Sequence, residues 1–119
     1  SCRKDVDLEH YEHRKRSDKL DSELRDEAGH GQLDVVERLL EARANPDAPG
    51  DSWNGFRTAL HEACLWSDSV HTVRLLLEYG ASTTRHGKLQ GHELTAMEIA
   101  RNKGKFELVR ELALWQPSG

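Results

Sequence analysis

Apolar residues recur along this chain at spacings of three and four. Ala59, Leu60, Ala63 and Cys64 form one such stripe behind Thr58, and Val73, Leu76 and Leu77 form a second ahead of Gly80. Spacing of this kind lines up side chains on one face of a helix. Thr58 is a good N-terminal cap and Gly80 a good C-terminal stop. The two runs therefore predict a pair of short antiparallel helices. Isolated helices under about 12–15 residues are marginal in water, so the pair needs neighbours on both sides.

The chain supplies them. Upstream, Ser22 precedes Leu24 and Ala28, followed by Leu33, Val36, Leu39 and Leu40 as a second inward stripe. Downstream, Thr95 precedes Met97, Ile99 and Ala100, followed by Phe106, Leu108, Val109 and Leu112. The predicted caps Ser22, Thr58 and Thr95 stand 36 and 37 residues apart, a period that marks stacked helix pairs.

These residues resemble the ankyrin repeat. Thr58-Ala59-Leu60-His61-Glu62-Ala63-Cys64 and Leu75-Leu76-Leu77-Glu78-Tyr79-Gly80-Ala81 follow that family's pattern closely. Gly31-Gln32-Leu33-Asp34-Val35-Val36 and Leu39-Leu40-Glu41-Ala42-Arg43-Ala44-Asn45 match its second half, whereas Arg25 stands where His61 stands in the central unit. Met97-Glu98 replaces Leu60-His61 in the last unit, which ends in Leu112-Ala113-Leu114-Trp115 without a Gly-Ala. Degenerate outer units suit a short stack, whose ends face water. The resemblance implies an all-α solenoid of about three helix-turn-helix units joined by long finger loops. Its expected layout is a charged extension over 1–19, repeats over about 20–54, 55–90 and 91–116, and a tail over 117–119. It also implies that His61 and the Thr58 hydroxyl brace adjoining turns.

Extra residues between Gly55 and Thr58, between Gly91 and Thr95, and between Cys64 and Val73 fall in turns, where added length costs little closure entropy. They predict long, individually shaped tips. Trp53 lies in the first, Pro-, Asn- and Gly-rich connection, where it either packs back on its own loop or is offered to a partner. The second connection is polar and Gly-punctuated, with Leu89 at or near an exposed tip. Trp115 is expected to close the end of the stack.

Composition narrows the function. At 119 residues with 36% hydrophobic and 6% aromatic content, the chain builds one modest core. No apolar run approaches the ~18 residues of a membrane span. Cys2 and Cys64 offer no disulfide framework, which points to a reducing compartment, cytosol or nucleus. Residues 22–84 carry five basic and eleven acidic groups, and 85–119 carry six basic and four acidic. That balance lacks the basic stripe nucleic acid requires, and it is suited to steering a charged protein partner.

No reaction is legible. His10 and His13 are three apart but lack a third metal ligand; Cys64 sits on an apolar stripe without an electropositive setting; no phosphate loop or nucleophile elbow occurs. No catalytic residue, metal or cofactor is expected. Residues 1–19 are read either as a short helix covering the first repeat or as solvated tail.

In proteins that look like this, the positions after the paired small residues of the inner helix vary and face a concave groove together with the hairpin tips. The resemblance thus implies a patch of Trp53, Asn54, Phe56, Arg57, Glu62, Leu65 and Trp66, joined by Arg85, Lys88, Leu89, His92 and Glu93 of the second finger. Trp66 has a plainer alternative, filling space left by the extra residue in the helical turn. A scaffold or adaptor that binds another protein or peptide is the first expectation; the sequence leaves its oligomeric state open, with a monomer as the default. The second is a regulatory or targeting segment of a larger enzyme or channel.

Overall fold

A computed structural model describes residues 19–52 and 55–115 of the chain. Residues 19–30 are helical (α1), followed by α2 (Leu33–Glu41), α3 (Ala59–Trp66) and α4 (Val70–Glu78). A β-hairpin of β1 (Gly87–Leu89) and β2 (His92–Leu94) precedes α5 (Ala96–Asn102) and α6 (Phe106–Leu114). The helices pair in sequence as three hairpins, and neighbouring hairpins pack α3 on α5, α2 on α4 and α4 on α6. Neighbouring hairpins lie side by side, each packed on the next, as in a linear stack.

Caps define the units. At Thr95 the hydroxyl accepts from the Glu98 N–H at 3.3 Å while Glu98 Oε1 accepts from the Thr95 N–H at 2.9 Å, a reciprocal capping box. At the other ends, Gly31, Gly80 and Gly104 adopt positive φ, the left-handed turn that closes a helix. Arg43 does the same at φ 74 where the central unit has Gly80. Ser22 is a correction: helix already runs from residue 19, so Ser22 lies inside α1 and does not cap it.

One core runs the length of the stack, from Leu24 and Ala28 through Leu60, Ala63, Cys64, Leu76 and Leu77 to Ile99, Leu108 and Leu112. Its ends are visible in single residues. Thr72 and Leu108, on outer helices that have a preceding hairpin, are buried, while Val35, their counterpart in α2, is exposed. Leu40 and Leu77, on outer helices followed by another hairpin, are buried, while Ala113 in the last helix is exposed. Leu33 and Phe106, expected inside, are 38% and 75% exposed. Each opens an outer helix at the hairpin turn, beyond the last packed layer. Trp115 packs, partly buried, against the core.

Neighbouring units are tied by polar contacts as well. Asp47 Oδ1 accepts from the Ser82 N–H at 2.7 Å, Arg74 and Glu111 pair at 2.7 Å across α4 and α6, and Lys105 Nζ donates to Leu65 O and Ser67 O at 3.2 and 2.9 Å. That ammonium meets the carbonyl end of α3, where the helix dipole favours a cation.

Candidate functional site

The inner helices α1 and α3 and the two fingers share one side of the stack. Its foundation is His61. Nδ1 accepts from the Thr58 N–H at 3.1 Å and lies 2.7 Å from the Thr58 hydroxyl, and Nε2 lies 2.9 Å from Arg85 O. A backbone N–H can only donate and a carbonyl only accept, so the ring is the neutral tautomer protonated at Nε2. Burial is the main cause that pushes its pKa below the ordinary histidine value, and the charges of Arg57 and His86 add to it, against hydrogen bonds to the Arg85 and Leu94 backbone. The imidazole therefore ties the start of α3 to the root of the second finger.

Arg57 ties the two fingers together. Its Nε donates to Glu62 Oε1 at 2.6 Å and its Nη1 to Lys88 O at 3.0 Å. Lys88 N–H in turn donates to Gly55 O at 2.7 Å. A Cβ on Gly55, which has φ +75, would run into Lys88 O, so glycine is required for this close approach. The first connection is thereby held beside the strand Gly87–Leu89.

Beyond these braces lies an open groove of about 440 Å³ between α1 and α3, lined by Arg25, Asp26, Gly29, His30, Glu62 and Trp66. Trp66 is 65% exposed at the last turn of α3. Its indole reaches α1 at Gly29, where a Cβ would approach Trp66 Cδ1 to 3.3 Å. One edge of the ring thus rests where α1 has no side chain, and the rest faces solvent.

The implied partner-binding residues separate accordingly. Trp53 and Asn54 lie outside the described residues, as do His10, His13 and the rest of 1–18. Phe56 is exposed at φ 58, at the base of the first finger. Arg57 and Glu62 occupy each other, their side chains 13% and 14% exposed, so the pair shapes the groove wall more than it offers free charge. Leu65 is a correction: it is 5% exposed and belongs to the core, because one step along a helix turns a side chain by about 100°, so of Leu65 and Trp66 only one can face out. Leu89 is a second correction. The second connection is a β-hairpin turning at Gln90-Gly91, and Leu89 packs, half-buried, against the core. Arg85, Lys88, His92 and Glu93 have exposed side chains. The α1 wall, comprising Arg25, Asp26, Gly29 and His30, has no counterpart in the sequence-based patch. A glycine inside a helical stripe opposite a tryptophan was the available signal.

The groove holds no reactive constellation. Cys64 is fully buried and desolvation pushes its thiol up to about 12, far from thiolate at neutral pH. Among the described residues, no group of three or more His, Cys, Asp or Glu side chains is placed to hold a metal ion, and no helix is long and apolar enough to cross a membrane.

Three helical hairpins set side by side, with their loop ends turned to one side, define a helical-repeat solenoid. The family model described as "Ankyrin repeats (3 copies)" matches residues 24–117, and the chain belongs to the ankyrin-repeat family. Repeats of this family are in general protein–protein interaction modules and typically non-catalytic. No curated protein matches the chain.

Proposed function

We propose that the chain is a scaffold or adaptor module that captures a partner polypeptide on the face made by α1, α3 and the finger loops. The observation that carries this reading is Trp66. A large aromatic 65% exposed over a groove leaves apolar area in water that a partner removes, and buried aromatic anchors dominate interface energies. The braces through His61 and Arg57 support it too. They fix the fingers in advance, so less ordering is needed on binding. The reading assigns no reaction to the chain, since both nitrogens of His61 are engaged and Cys64 is held as a thiol. It places the chain inside the cell, in keeping with a free, buried Cys64.

Selection from a random-peptide display library against wild type and Trp66→Ala tests it. Peptides retained by wild type should lose roughly tenfold or more in affinity for the variant, about the cost of truncating an interface anchor. Thermal unfolding should stay unchanged, because an exposed ring contributes little to the fold. Retention by both proteins alike, or by neither, contradicts the reading.

A further inference from the structure

The groove beside Trp66 holds an exposed carboxylate, Asp26, that its aromatic wall does not explain. A second hollow of about 430 Å³ shares Arg25 with it and adds Asp21 and Asp51. Of the four carboxylates on the two hollows, Glu62 is charge-paired with the Arg57 guanidinium and Asp21 accepts from the Asn45 N–H at 2.7 Å, while Asp26 and Asp51 complete the set beside Arg25 and the His30 imidazole. Arg25 is directed at Ala48 O, 3.3 Å away, and Glu62 is held by Arg57. Asp26 is exposed beside Trp66, and among the described residues no hydrogen-bond or ion-pair partner meets its carboxylate.

We infer that this groove receives an arginine or lysine side chain of the partner polypeptide, its cation lying on the open face of the Trp66 indole and its charge met by Asp26. The inference rests on the interaction-module reading above and names the chemistry of its occupant. Tryptophan is the best aromatic platform for a cation. The apolar stem of a long basic side chain can lie along the ring while its head reaches the carboxylates. An apolar occupant would cover the indole but desolvate Asp26 without compensation, and an acidic one would meet like charge. The surplus of acidic groups over residues 22–84 extends the same preference to approach from a distance.

The test uses the full chain and the peptides recovered from the display selection. Those that distinguish wild type from Trp66→Ala are resynthesised with citrulline in place of arginine, or norleucine in place of lysine. The expected result is a basic residue at one fixed position, whose replacement weakens binding to wild type by roughly tenfold. In Asp26→Asn, an exposed change that leaves the fold intact, the same replacement should matter less than about threefold. Selected peptides with no fixed basic position, or peptides indifferent to citrulline or norleucine, overturn the inference and leave the module reading standing. So does self-association of the chain that hides Trp66, seen by sedimentation. A library yielding no peptide sensitive to Trp66 overturns both.

Discussion

At the scale of single residues, two positions hold conformations or protonation states that the rest of the fold imposes. Arg43 closes α2 at φ 74, where the equivalent turn of the central repeat uses Gly80. An L-residue in the left-handed region costs about 1–2 kcal/mol, part of which glycine returns as chain entropy. Arg43→Gly should therefore raise stability by roughly 0.5–1 kcal/mol, measured as a higher urea midpoint at unchanged slope. His61 behaves as a pH sensor of the fold. Its folded pKa lies below the ordinary 6.5, so under pH 6.5 the unfolded chain takes up a proton that the folded ring refuses. Stability from this group is fully present above pH 6.5 and falls as pH drops below it, by at most about 1.4 kcal/mol per unit. Urea unfolding between pH 7 and 5 should show this slope, reduced in His61→Gln.

At the scale of elements, the two fingers act as one body because Arg57 joins them. Removing the guanidinium leaves Glu62 without its partner and Lys88 O without its donor, while the inner helices keep their core. Arg57→Ala should accelerate amide exchange at Lys88, whose N–H bonds Gly55 O, by roughly tenfold or more, and leave Leu60 and Leu76 protected. Local openings of this kind lie well below the global unfolding energy. Uniform acceleration across the stack would show instead that Arg57 supports the whole fold.

At the scale of the whole molecule, the repeat was legible because helix period and unit period are both written in the chain: Thr58 and Thr95 cap as expected, and Leu76, Leu77, Ile99 and Leu112 fall inside. Other features depend on position along the stack, which helical spacing does not encode. Leu33 and Phe106 fit their stripes, yet lie at hairpin turns where nothing covers them. Val35 is exposed because no repeat precedes its helix among the described residues. Leu65 and Trp66 are neighbours in the chain, yet adjacent helical positions diverge, so Leu65 is buried and Trp66 exposed. The α1 wall of the groove was hidden because that helix is the most degenerate copy of the pattern, and Leu89 because a hairpin tip folded back onto the core is set by tertiary contact, not by its own polarity.

The central claim is that another polypeptide is gripped on the α1, α3 and finger side. Amide hydrogen exchange of the full chain, with and without a selected peptide, tests it most directly. Slowed exchange in residues 22–30, 55–66 and 85–94 is the predicted footprint. Protection confined to α2, α4 and α6, or none at saturating peptide, would contradict it.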